Sequence, residues 1–436
     1  MKYQENILQA ANDAQQMEAL FKDAIGTGQT SEFAQDLRLC YQEAPDNLLL
    51  AAWYYRLESP PVETASRSER ASIWRWAIPL ALLSGLVLGL IAFFDEDPER
   101  IPLFVLVWAP VAAAIAIAFL VIAGKLKYTY PLIAIIVLAA ALLYVLLIST
   151  TLPEWLYNAY QDQMVIHLPL LSWIALGVAL LGLRSSINDR FSFLTKSIEA
   201  AITAGLYLIA GVAFGAITIG MLSALSIELP ERSMLFLAGA GFGLIPIIAL
   251  ATIYDPRFPP GEQDFSQGLS KFIANMIRLL LPLTLLVLVI YVLIIPFNFL
   301  EPFKNRDVLI VYNIMLFAVM GLLLGATPLK ADDLSPKLKS ALRSGILAVA
   351  VLAILVSLYA LAAILYRTAA DQLTMNRLII IGWNLINTVI LAMLAYQLGR
   401  SKDDGWVARA QAVFSRGTVG YVAWTLFVIF LVPLIF

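Results

Sequence analysis

The sequence predicts an all-α fold, a polytopic membrane helix bundle of about 11 transmembrane helices behind a small soluble helical N-terminal domain. Three observations predict it. Of 436 residues, 61% are hydrophobic and 14% charged, where soluble domains average about 45–50% and 25%. The excess is gathered in runs of about twenty residues, the length a helix needs to cross a hydrocarbon layer about 30 Å thick. The charge that remains falls between those runs and in the N-terminal stretch.

Residues 1–66 read as a cytoplasmic helical domain. Ile7, Leu8, Met17, Leu20, Phe21 and Ile25 recur at helical spacing and predict one helix closed by Gly26-Thr27-Gly28. Ser31 is the expected N-cap of a second helix, and Ala44-Pro45-Asp46-Asn47 breaks to a third through Leu48 and Trp53. Glu5 and the polar run Asn12 to Gln16 exclude a cleavable signal peptide. The helix, Pro-Asp-Asn turn and Ala-Trp helix resemble one tetratricopeptide-type unit, of which about three are normally needed to bury a shared core, so the domain reads as a cytoplasmic cap packing on the membrane part, with binding of a protein partner as the alternative.

Residues 67–436 form the bundle, with spans expected at 73–94, 101–123, 131–150, 164–183, 197–227, 234–253, 276–298, 308–326, 345–366, 378–398 and 417–436. Pro79, Pro110, Pro169, Pro246, Pro282 and Pro296 fall in or at the ends of these segments, where neighbouring helices can satisfy the freed carbonyls. Orientation follows from the bias of Lys and Arg toward cytoplasmic connections. With the N-terminus inside, nineteen of the 29 basic residues flank the cytoplasmic ends, six (Arg100, Arg232, Lys304, Arg306, Arg367, Arg377) lie outside, and four belong to the N-terminal domain. One missed or invented span would exchange the sides downstream, so the bias supports both the count and an outside C-terminus. Asp95, Glu96, Asp97 and Glu99 gather on the first outer loop.

Several chemistries are excluded at this level. The single Cys40 excludes a disulfide scaffold, and a net charge of −2 without a basic block argues against nucleic acid. His167 is the only histidine, so no Cys/His metal set exists and neither metal nor cofactor is expected. No Ser/His/Asp set or apolar carboxylate pair can be assembled, and a membrane transferase would have to rely on Glu154, Asp162 or Asp371. Arg75, Glu199, Arg278 and Arg377 sit near helix ends, able to snorkel or cap, and no carboxylate marks mid-membrane, which argues against ion-coupled transport. His167, near the outer end of the fourth segment, reads as a hydrogen-bonded structural residue ahead of a proton relay.

Two groups of polar residues are candidate sites. Asn313, with Asn384 and Asn387 three apart on one helical face beside Thr388, makes a candidate intramembrane polar face, either for interhelical hydrogen bonds or for a substrate groove. Arg367, Asp371, Thr374 and Arg377 make a candidate outer-face cluster, with Glu301, Lys304, Arg306 and Asp307 adding both signs of charge. Thr374 is the expected N-cap of the tenth span. The aromatic run Glu154 to Asp162 reads as an outer loop lying at the interface or closing a cavity. Three Gly-x-x-x-Gly pairs, Gly85/Gly89, Gly211/Gly215 and Gly321/Gly325, permit close helix contact, and Gly239 to Gly243 reads as packing rather than a nucleotide loop.

The run Leu281-Pro282-Leu283 with Tyr291-Val292-Leu293-Ile294, and the later Leu373-Thr374-Met375-Asn376-Arg377 behind Arg367, resemble a bacterial polytopic membrane family catalogued as a domain of unknown function. That family carries a Pro-Leu and Tyr-x-x-Ile-Leu helix and a Tyr-Gly-Leu-Thr-x-x-Arg loop; here Asp371-Gln372 stands in place of Tyr-Gly. The resemblance covers about residues 270–436 and implies a multi-pass protein of the bacterial cytoplasmic membrane, with no activity attached. The expected function is transport or flipping of a neutral or amphipathic small molecule or lipid; the alternative is a non-catalytic scaffold or sensor recruiting a partner through the N-terminal domain. Membrane lipids are the expected contacts. In a Cys40→Ser background, an impermeant maleimide should label Asp371→Cys in intact cells and Lys337→Cys only after lysis; the reverse pattern overturns the orientation.

Overall fold

The structure, a computed structural model, describes residues 3–26, 29–58, 62–95, 101–330, 334–400 and 405–436. Glu96, Asp97, Glu99, Arg100, Lys402 and the Thr27-Gly28 pair lie outside the described residues. The chain divides into two compact units, Met1–Ser72 and Ile73–Phe436.

The first unit holds α1 (Gln4–Gln9), α2 (Ala14–Gly26), α3 (Thr30–Glu43) and α4 (Leu48–Glu58). The single first helix read from the sequence is two, because the Asp13 carboxylate accepts from Gln15 N (2.9 Å) and Gln16 N (3.1 Å) and caps a new start at Ala14. Asn47 caps α4 in the same way, accepting from Leu49 N and Leu50 N. Ser31 is not the cap expected of it: α3 begins at Thr30, with Gln29 in the cap position. The core is Ile7, Met17, Phe33, Leu37, Cys40, Leu50 and Trp53, with the Phe21, Phe33 and Trp53 rings meeting edge-on or tilted. Burial, with Glu43 and Asp36 nearby, pushes the Cys40 thiol up to about 11. Leu48 and Tyr55 stay exposed on α4.

The second unit is an all-α membrane bundle. Among the described residues, eleven helices are long and apolar enough to cross a membrane. They are α5 (Val62–Phe94), α6 (Leu103–Gly124), α7 (Thr129–Ser149), α8 (Glu154–Leu181), α9 (Ile187–Ala224), α10 (Glu231–Ile253), α11 (Gly268–Ile294), α13 (Arg306–Ala326), α14 (Pro336–Ala370), α15 (Met375–Arg400) and α16 (Trp406–Phe430), with short helices α12 (Glu301–Lys304) and α17 (Val432–Ile435) at one end. Pro79, Pro110, Pro169, Pro246 and Pro282 lie within continuous helices, and Pro296 opens a tight turn after α11.

Several helices outrun the apolar segments that predicted them. The Glu154–Asp162 run is the first part of α8 rather than a loop, and buries Leu156 and Tyr160, whose hydroxyl donates to Ile429 O at 2.8 Å. The last span begins at Trp406 instead of 417, because Val407, Ala410, Val413 and Phe414 form a buried stripe among polar residues. Gln411 Nε2 there donates to Pro328 O and Leu329 O. At the same end of the bundle Arg343 donates to Leu398 O, and α14 starts at Pro336, capped by Ser335. This end carries the bulk of the basic connections; we call it the basic end.

Two apolar cores share α15 and α16. One joins the starts of α9 and α16 to α11, α13, α14 and α15; the other joins α6, α7 and α8 to the start of α15 and the end of α16. The Gly-x-x-x-Gly pairs divide sharply. Gly85 and Gly89 on α5 meet Gly239 and Gly243 on α10: a Cβ at Gly85 would fall 2.8 Å from Ala240 O and one at Gly243 2.8 Å from Ser84 O. Gly211 and Gly215 have nothing within 4 Å, so that pair makes no helix contact within the chain, and of the third pair Gly321 is open while Gly325 packs on Ile277. Gly243→Ala should therefore lower the thermal midpoint in detergent, by about 1–3 kcal/mol of overpacking, while Gly211→Ala should leave it unchanged or raised; equal effects would remove this contact from the packing scheme.

Candidate functional site

Three polar groups in the bundle are candidates. The first follows α15. Asn384 and Asn387 are buried, 1% and 0% exposed. Asn384 Oδ1 accepts from Ser357 Oγ of α14 (3.1 Å), which also meets Thr388 Oγ1 (2.5 Å), and Thr388 donates back to Asn384 O (2.7 Å). Asn387 Oδ1 accepts from Tyr421 OH of α16 at 2.5 Å. Its Nδ2 has no partner among the described residues. Asn313 does not join them; its Nδ2 donates to Leu309 O of its own helix. The polar face read from the sequence thus carries bonds between α14, α15 and α16.

His167 belongs to the same layer. With α8 beginning at Glu154, it lies mid-helix instead of near an end. Its Nδ1 lies 2.7 Å from Gln163 O, which can only accept, and its Nε2 lies 3.1 Å from the Trp383 indole N–H, which can only donate. These partners fix one neutral tautomer, and protonating Nε2 would set two N–H groups against each other. The ring is a strut between α8 and α15.

The second group was missed. Lys196 and Glu199, separated by one turn of α9, are 4% and 3% exposed and paired at 2.8 Å. Lys196 Nζ also donates to Asp264 O (3.0 Å) and Ser270 Oγ (2.9 Å), Ser270 donates to Glu199 Oε2 (2.6 Å), and Phe265 covers the ammonium at 4.3 Å. Glu199 is therefore no snorkelling end residue. The signal was present as opposite charges at i, i+3, obscured because Lys196 was counted as a loop cation.

The third group is the cluster expected on the outer face, at the end of the bundle opposite the basic end, where α14 stops and α15 starts. Arg377 donates through Nη2 to Asp371 (2.9 Å) and through Nη1 to Gln372 O (2.5 Å). Thr374 Oγ1 accepts from Arg377 N at 3.4 Å, the N-cap expected of it. Arg367 does not pair with Asp371. It lines a cavity of about 410 Å³ together with Thr374, Asn376, Arg377, Leu309, Ile310, Ile364 and Ile380. Asn376 accepts from Gln163 of α8 at 3.0 Å, which fixes the base of α15. Arg367 Nη1, shielded from solvent, has no hydrogen-bond partner among the described residues. Such a volume lies within the range of small-molecule sites.

Fold and composition define a polytopic integral membrane protein whose helices meet lipid. No family model, curated protein or solved structure matches the chain. The Lys196–Glu199 pair gives a direct test of the architecture. Removing one partner of a buried pair strands the other at about 3–5 kcal/mol, so Glu199→Ala should sharply lower the thermal midpoint in detergent while Lys196→Met/Glu199→Leu recovers much of it; additive losses in the double variant would show that the two charges are not coupled.

Proposed function

We propose that the chain resides in the bacterial cytoplasmic membrane, N-terminus inside and C-terminus outside, and that it takes up an amphipathic small molecule or lipid at its outer face and moves it between leaflets. The supporting observation is the mixed lining of the cavity, Arg367, Thr374, Asn376 and Arg377 together with Leu309, Ile310, Ile364 and Ile380, at the ends of three spanning helices. A soluble polar substrate has no use for the aliphatic wall, and a purely apolar one none for the guanidinium groups. Both demands are met by a molecule with a polar head and a hydrocarbon body. Both ring nitrogens of His167 are engaged, by Gln163 O and the Trp383 indole, in keeping with movement that is not proton-coupled.

Reconstitution tests this. In vesicles carrying a short-chain fluorescent lipid in both leaflets, an added impermeant reductant quenches the outer leaflet alone unless a protein exchanges lipid. With this protein the inner-leaflet dye should be quenched too, and Ile310→Trp, which fills the cavity from an exposed position, should slow that phase. Inner-leaflet dye that remains protected as in empty vesicles would sink the proposal.

A further inference from the structure

We infer that the cavity's ligand is an anionic amphiphile, its phosphate or carboxylate head held by Arg367 and its hydrocarbon chain laid along α13. This deepens the function proposed above by naming the head group. Of the two guanidinium groups lining the cavity, that of Arg377 is committed to Asp371 and Gln372 O. That of Arg367, which lines the same cavity, is in no ion pair or hydrogen bond among the described residues. The C-terminal dipole of α14 explains why a cation sits in its last turn, but supplies no acceptor to its guanidinium. A guanidinium N–H left without an acceptor is costly, and a planar or tetrahedral oxyanion is the partner its geometry suits. The N-terminus of α15, with Thr374 and Asn376 beside the same cavity, adds partial positive charge.

The chain half of the ligand is argued from α13. Ile310 lines the cavity, and Ile310, Ile314 and Phe317 follow one another at i, i+4 and i+7, exposed at 39%, 64% and 40%. That spacing makes one continuous apolar stripe running from the cavity along the helix. Phe317 in turn lies 5.4 Å from the Trp383 ring. A zwitterionic head would bring its own cation beside two guanidinium groups; a small free anion would leave the stripe unused.

The test titrates the purified full chain, in neutral detergent, with a dihexanoyl phosphatidylglycerol, a dihexanoyl phosphatidylcholine and inorganic phosphate, by calorimetry. The phosphatidylglycerol should bind about tenfold or more tightly than either of the others, since a desolvated charged contact separates them. Arg367→Gln should lower that affinity about tenfold or more, with Arg367→Lys falling between, and the three-ligand comparison on the unaltered chain stands even where a variant fails to fold. Ile310→Asp, at an exposed position, should weaken the anionic lipid without changing the thermal midpoint. Equal binding of the two lipids, phosphate binding as tightly as phosphatidylglycerol, or an unaffected Arg367→Gln would each overturn the inference. The outcome is separable from the vesicle assay: lipid exchange with a flat anionic titration removes the head-group assignment alone, and anionic binding without exchange removes the movement between leaflets alone.

Discussion

Between the two faces of a membrane there is no water to complete a hydrogen bond, and this constraint orders the bundle. Each polar atom carried into the hydrocarbon must find a protein partner or remain unmet at a cost of several kcal/mol. Backbone groups are met within the helices. Side chains are met between them: Asn384 by Ser357, Asn387 by Tyr421, His167 by Trp383. These pairs tie α8, α14, α15 and α16, which carry the apolar cores, into a defined register. The most demanding case, the Lys196 ammonium, is met by a carboxylate, a hydroxyl and a carbonyl from two segments at once.

The two ends of the bundle treat charge differently. At the basic end, polar groups close on one another: Arg343 on Leu398 O, Gln411 on the 328–329 carbonyls, Lys196 on Glu199. At the opposite end Arg377 is likewise closed by Asp371. Arg367 lines the cavity there and is in no ion pair or hydrogen bond among the described residues. An uncommitted guanidinium on the wall of a cavity is the physical ground for placing ligand chemistry there.

The number and type of the spanning helices were legible because apolar runs of membrane length have few alternative explanations. Their ends were less so. Hydropathy marks where a helix is apolar all round, whereas the extensions of α8, α14 and α16 are apolar on one face only, so Trp406, Val407 and Ala410 were read as connection. The outer cluster was legible as a set of residues, including the Thr374 cap, since those contacts are local in sequence. Which arginine Asp371 would choose was not, nor was the cavity, which needs α13 brought against α14 and α15. Lys196 and Glu199 show the same limit: their spacing is local, but their burial depends on Asp264 and Ser270, about seventy residues on. The glycine pairs show it again, because spacing alone does not separate Gly85, pressed on a carbonyl, from Gly211, facing nothing.

The glycine contacts also decide which parts of the bundle can slide. A side chain at Gly382 would overlap the Trp424 ring, so α15 and α16 interlock at that level, and α5 and α10 meet backbone to backbone. Neither pair has the clearance to shear; each must travel as a block. On α13, by contrast, Gly321 has free space beside it, while Gly325 is packed by side chains, Ile277 and Ile198, and not by backbone. The helix that bears the apolar stripe is thus held by side chains that can change rotamer, where the two interlocked pairs are held by backbone or a ring.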